Sequence, residues 1–234
     1  MLKSKVSQIK ENFKKIKGQI NLHADKVGRK AEEIEIVAVT KGRSLEEIKE
    51  VLGCGVNMIG ENRVQEAKEK FGQLGNFFEW HLVGHLQTNK VKSALEMFEL
   101  IHSVDSLRLA EEINQRAGQL NKTQKILVQV NTSGEITKFG LAPENLPEFL
   151  KKISNFKNIF VEGLMTMAPF CENSENSRPH FQKLKEIFEE TKKNSLAGVK
   201  MKWLSMGMSQ DYVVAVEEGA NLLRIGSAIF EKEE

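Results

Sequence analysis

Cysteine and proline are scarce in this 234-residue chain, which has two of the former and four of the latter. Cys54 and Cys171 stand far apart, without a companion at metal-ligand spacing. They read as reduced thiols, which excludes a disulfide scaffold and a zinc site. No Gly/Ser tract, Pro-rich segment or block of like charge marks a linker. Met1-Leu2-Lys3-Ser4-Lys5 is followed by no apolar signal segment, and no run approaches membrane-spanning length. A cytoplasmic location is the resulting expectation. An excess of one charge is missing too: 34 Lys+Arg face 32 Asp+Glu. Bulk charge therefore argues for neither a nucleic acid nor a membrane partner. With 40% hydrophobic and 28% charged residues, the composition is that of an ordinary globular protein. Such a length buries enough apolar surface to hold together without staples, and a single domain over 1–234 is expected.

Periodicity changes once along the chain. Leu2, Val6, Ile9, Phe13, Ile16 and Ile20 recur at spacings of four and three, which predicts an amphipathic leading helix within residues 1–30. From residue 34 onward, short apolar runs alternate with helical patterns. The predicted strands are Ile34–Val39, Met58–Ile59, Trp80–Val83, Leu100–Ser103, Ile126–Val130, Ile159–Leu164, Lys202–Leu204 and Leu222–Ile225. Helical patterns begin near Ser44, Asn62, Gln87, Ser106, Glu144, Ser174 and Ser209. Strands alternating with helices argue for parallel βαβ construction. The α/β reading is a single (β/α)8, or TIM, barrel over residues 34–230. It is compact beside the roughly 250 residues such barrels usually take. An open doubly wound sheet is the competing architecture. Its GxGxxG turn is missing, because Thr40-Lys41-Gly42-Arg43 follows the first strand instead.

Barrels carry their chemistry at the C-terminal ends of the strands. The first strand ends Val37-Ala38-Val39-Thr40-Lys41, and alternation puts Lys41 on the face of Val37 and Val39. An ammonium group at the end of an apolar strand is costly unless paired or neutralised, and a neutral amine condenses with an aldehyde. The seventh strand runs into Leu204-Ser205-Met206-Gly207-Met208-Ser209, where Ser209 suits the N-cap of the next helix. Arg224-Ile225-Gly226-Ser227 follows at the eighth strand, with Gly226 allowing close backbone approach and Ser227 offering a hydroxyl. Turns after strands 7 and 8 are the usual phosphate sites of barrels, and closure brings them beside strand 1. The GxxxxGK pattern of a P-loop is absent. A phosphorylated aldehyde fits this arrangement: either pyridoxal phosphate or a phosphosugar in a lysine-dependent aldolase.

Several longer segments carry a resemblance. They are Val37–Lys41, Gly60-Glu61-Asn62-Arg63-Val64-Gln65-Glu66, Trp80-His81-Leu82-Val83-Gly84-His85-Leu86-Gln87-Thr88-Asn89-Lys90, Val128-Gln129-Val130-Asn131, Gly163-Leu164-Met165-Thr166-Met167, Leu204–Ser209 and Arg224–Ser227. Spanning nearly the whole chain in order, they resemble the pyridoxal phosphate homeostasis proteins, which share the barrel of the alanine racemase N-terminal domain. The resemblance implies that Lys41 carries pyridoxal 5′-phosphate as a Schiff base, and that Ser209, Gly226 and Ser227 hold its phosphate. It sets Arg224 against the pyridine nitrogen, with Asn62 and His81 lining the mouth near the ring. A guanidinium there keeps the nitrogen unprotonated and weakens the cofactor as an electron sink. Two residues depart from the family pattern: His85, where proline is frequent, and Phe139, where a small residue is usual.

Racemisation needs an acid or base on each face of the α-carbon. Lys41 serves one face; in alanine racemases a tyrosine from a separate C-terminal β-domain serves the other. This chain ends at Glu234, so no such domain is expected, and its one tyrosine, Tyr212, reads as helix packing. Without that domain the cofactor's outer face stays open to solvent. The expectation is a carrier that buffers pyridoxal phosphate or hands it to apo enzymes that depend on it. A low-efficiency amino-acid racemase of fold type III is the alternative. Met165, Met167, Met206 and Met208 read as core filling or ring packing, Asp105 and Ser106 as a helix cap. His23, His102 and His180 receive no role.

Overall fold

Side chains on a β-strand alternate between its two faces, so a strand buried on both sides needs two cores. In a computed structural model describing residues 2–135 and 137–231, eight parallel strands close into a barrel in the order β1 to β8. Helix α1 (Leu2–Lys26) precedes β1 (Glu35–Val39), and the repeating units follow. They are α2 (Leu45–Leu52), β2 (Met58–Glu61), α3 (Val64–Leu74), β3 (Glu79–Leu82), α4 (Val91–Leu95), β4 (Leu100–Val104), α5 (Leu107–Gln119) and β5 (Gln124–Gln129). The second half comprises α6 (Leu146–Ile153), β6 (Ile159–Met165), α7 (Arg178–Lys193), β7 (Val199–Ser205), α8 (Tyr212–Glu217), β8 (Leu222–Ile225) and α9 (Ser227–Phe230).

All eight expected strands form, and β2 and β7 are among those that depart from the apolar pattern. β2 continues through Gly60 and Glu61, whose polarity hid them. β7 begins at Val199, since the exposed Lys200 and Lys202 on its outer edge interrupt the apolar run. The pattern near Gln87 resolves into a 3-10 turn, Thr88–Lys90, before α4. The barrel closes where β1 pairs with β8, setting Val37 opposite Arg224.

Two apolar clusters answer the need for two cores. Val37, Val83, Leu100, Leu127, Met165 and Leu222 fill the barrel interior. Ile36, Ala38, Ile59, Leu82, Ile101 and Leu223 face outward into the larger shell beneath the helices. Successive residues of β1 thus divide cleanly between the two. Among the described residues no helix is long and apolar enough to cross a membrane.

The apolar stripe of α1 is buried at Ile9, Phe13, Ile16 and Ile20, packing over α2, α8 and α9. The side chains of Leu2 and Val6, expected on the same stripe, lie outside the described residues. Asn12 Nδ2 donates to the carbonyls of Ile229 at 3.0 Å and Glu231 at 2.8 Å. The leading helix therefore braces the segment just beyond the last strand. Ile16 is 3% exposed, and Ile16→Ala should destabilise the chain. The expected loss in urea unfolding is about 2–5 kcal/mol, with the fold retained.

Candidate functional site

The series Val37, Val39, Lys41 runs from the barrel interior to a cavity of about 570 Å³ at the C-terminal ends of the strands. Six of the seven residues expected at the site line it: Lys41, Asn62, Ser209, Arg224, Gly226 and Ser227. The burial argument for Lys41 needs correction. The strand ends at Val39 and the chain turns at Lys41-Gly42, so Lys41 is exposed on the rim.

The turn that carries Lys41 is held on both sides. Thr40 Oγ1 donates to Glu61 Oε1 at 2.6 Å, and Lys70 Nζ donates to the Thr40 carbonyl at 2.6 Å. Gly42 N donates to Glu66 Oε1 at 2.5 Å. Lys70 also meets Glu61 at 2.6 Å and Glu66 at 2.7 Å, tying β2 to α3. Burial raises the Glu61 carboxyl above its usual range, with Lys70 and Thr40 opposing it. Its other oxygen, Oε2, has no partner among the described residues. Truncating Lys70 would leave a buried carboxylate uncompensated.

Across the cavity, the turn after β7 differs from its expected form. Ser209 does not cap α8, which starts three residues later. Asp211 Oδ1 closes the preceding turn by accepting from Met208 N at 2.6 Å. The Ser209 hydroxyl instead accepts from Gly226 N and Ala228 N, each at 3.1 Å. The turns after β7 and β8 are thereby joined by a hydroxyl and two amides. Gly207 has a φ of 91°, and a Cβ there would come within 2.5 Å of Ala215 Cβ. At Gly226 a Cβ would stand 3.2 Å from the Val39 carbonyl, so this turn lies close against the end of β1.

Arg224 is 4% exposed yet lines the cavity. Its guanidinium donates from Nη1 to Ser205 Oγ at 2.6 Å and from Nη2 to the Thr166 carbonyl at 2.8 Å. Burial lowers its pKa to about 10, with Asp211 opposing, so it stays charged at neutral pH. His81, expected at the mouth, does not line the cavity and is 2% exposed. It sits two residues before Val83 on the inward face of β3, deeper in the barrel. His81 Nδ1 lies 3.0 Å from His102 Nε2, and His102 Nδ1 lies 3.1 Å from Ser205 Oγ. His102, to which sequence reasoning gave no role, therefore backs the residue that holds Arg224. Its signal was legible: it shares a strand face with Leu100 in a strand buried along its whole length.

Met167 and Met208 line the cavity, whereas Met165 and Met206 are buried in the two cores. The two departures from the family pattern meet each other. His85 stacks on Phe139 with ring centroids 3.9 Å apart, and Phe139 forms part of the cavity wall. Ser106 caps α5 as expected, accepting from Leu109 N at 3.4 Å. Asp105 lies 3.9 Å from His85. No group of three His, Cys, Asp or Glu able to hold a metal occurs among the described residues.

A lysine in the turn after β1, a hydroxyl-and-amide turn at β7 and β8, and an arginine on the floor define a known class of barrel. Residues 6–233 match the alanine racemase N-terminal domain. Alanine racemase from Clostridium difficile superposes with a TM-score of 0.74 at 17% identity, and the match covers 97% of this chain and 57% of the racemase. That likeness concerns the fold. Nearer relatives narrow the class. A pyridoxal phosphate homeostasis protein from Aquifex aeolicus is 41% identical over 94% of this chain and 96% of its own length. One from Vibrio alginolyticus is 34% identical over 96% and 97%. PipY of Synechococcus elongatus, solved with PLP bound, has a TM-score of 0.83 at 32% identity, over 96% of this chain and 100% of its own. The chain belongs to the pyridoxal phosphate homeostasis protein family.

The buried histidines predict a pH dependence. Burial lowers the pKa of His81, against the pull of Glu79. Burial also holds His102 well below its ordinary value, with His81 and Arg224 adding to the effect. As pH falls through about 6.5, the unfolded chain binds protons at these positions before the folded one does. Stability is therefore complete above that range and declines below it, by up to about 1.4 kcal/mol per pH unit for each histidine. Urea unfolding between pH 7 and 5 should show this slope, and His102→Asn should reduce it. An unaltered slope in the variant would assign the titration to other groups.

Proposed function

We propose that this chain binds pyridoxal phosphate in the cavity above Arg224 and serves as a carrier of that cofactor rather than as an efficient enzyme. The observation that carries the reading is the buried, charged Arg224 on the cavity floor. Among the described residues no carboxylate bonds to it, and its bonds go to a hydroxyl and a carbonyl. Such a donor suits the lone pair of a heterocyclic nitrogen. The cavity volume of about 570 Å³ falls within the roughly 300–1,000 Å³ of small-ligand pockets.

When bound, the cofactor supplies an aldehyde and an electron-withdrawing ring. Lys41 offers the amine for covalent attachment, and its exposure at the rim suits exchange with the surroundings. Ser209, Gly226 and Ser227 would hold the phosphate through hydroxyls and backbone amides. Arg224 can only donate, so a pyridine nitrogen held against it would stay unprotonated and give little carbanion stabilisation. Asn62 lines the same wall. His81 takes no direct part and acts from beneath. Among the described residues the cavity wall includes neither histidine nor tyrosine, and the other groups on it that could exchange a proton are Lys138, Cys171, Asp211 and Glu231. Apo enzymes that depend on pyridoxal phosphate are the recipients that follow from this reading.

In mass spectrometry after borohydride reduction, the parent should show a fixed cofactor adduct, and Lys41→Ala should remain folded and lack it. An adduct of equal yield on the variant would move the attachment point elsewhere. Cofactor-loaded protein in deuterated buffer should exchange amino-acid α-protons no faster than free pyridoxal phosphate, as followed by NMR. Lys41-dependent exchange with one amino acid would make the chain a racemase-like enzyme instead.

A further inference from the structure

The floor of the cavity contains more polar machinery than binding requires. Arg224, Ser205, His102 and His81 come from β8, β7, β4 and β3 and form one chain of contacts leading away from the cavity. Ser205 and His102 are fully buried, so each proton in the chain needs an internal partner.

One fact fixes the direction of every bond: a guanidinium donates and never accepts. Ser205 Oγ must accept from Arg224 Nη1. Its own proton then has one acceptor among the described residues, His102 Nδ1 at 3.1 Å. His102 carries its proton on Nε2 and donates it to His81 Nδ1 at 3.0 Å. His81 in turn carries its proton on Nε2, 3.8 Å from the Glu79 carboxylate at the exposed end. Were His102 protonated on Nδ1 instead, the Ser205 hydroxyl hydrogen would be buried without an acceptor.

We propose that His102, backed by His81, is a positioning residue that locks Ser205 as an acceptor and so fixes the Arg224 guanidinium on the cavity floor. The functional half of this inference rests on the cofactor reading; the tautomers do not. His102 touches neither the cavity nor its occupant and works through Ser205.

The test has two arms. Imidazole ¹⁵N NMR on the protein without added cofactor should show His102 and His81 both as neutral Nε2–H tautomers. An Nδ1–H tautomer at His102 would overturn the proposal. In the second arm, pyridoxal phosphate is titrated into His102→Leu and His102→Asn. The leucine variant removes the acceptor and should raise the dissociation constant about tenfold and shift the visible absorption of the bound cofactor. The asparagine variant keeps an acceptor oxygen for Ser205 and should stay within about threefold of the parent. If the leucine variant does not fold, Ser205→Ala should give the same loss. A folded His102→Leu or Ser205→Ala protein with unchanged affinity and spectrum would refute the positioning role. Parent protein that shows the expected tautomers but binds no pyridoxal phosphate would instead sink the cofactor reading, leaving the hydrogen-bond order intact.

Discussion

Closing eight parallel strands on themselves confines the inward side chains of all of them to one narrow space, and the rest of this structure follows from that confinement. A side chain there either packs against others from across the barrel or finds a polar partner among them, because water has no room. Val37, Leu100, Leu127, Met165 and Leu222 take the first course. Arg224, Ser205, His102 and His81 take the second. The cavity begins where the strands end and inward side chains no longer meet their opposites.

The chain handles buried charge in two ways, one on each face of the barrel. Outside, between β2 and α3, Lys70 is paired directly with Glu61 and Glu66. That arrangement compensates most of the desolvation cost of the charges and fixes the turn around Lys41. Inside, the Arg224 guanidinium meets neutral acceptors among the described residues. A carboxylate at the same place would satisfy it and remove its capacity to attract a ligand. Neutral histidines behind Ser205 keep the acceptor oriented without cancelling the charge. On the outer face the charges pair with one another, and on the inner face the charge is left with neutral partners.

Much of the fold was legible because parallel barrels write a strong signal: short apolar runs at regular intervals, separated by amphipathic helices. The extensions Gly60-Glu61 and Val199–Met201 escape that reading, since polar or charged residues interrupt the apolar runs. At the site, Lys41, Ser209, Gly226 and Ser227 are legible from position at the first, seventh and eighth strand ends, Asn62 and Arg224 only through the family resemblance, and the cavity gathers all six. His81 was placed at the rim because its motif adjoins a strand end. Counting two residues back from Val83 would have set it deeper. Ser209 was assigned to the wrong amides, because a serine before a helical pattern signals a cap whether or not the helix begins there.

The sequence by itself determined the alternation that sorts β1 into two cores, the leading helix and the succession of strand ends where chemistry collects. These are local properties, set by side-chain type and spacing along a few residues. Only the tertiary structure decided which polar groups meet. The contacts of His102 with Ser205, of Lys70 with Thr40 and of His85 with Phe139 join residues 103, 30 and 54 positions apart, counted as 205−102, 70−40 and 139−85. No periodicity encodes such pairings, because barrel closure and strand register bring them together, and both are properties of the whole chain.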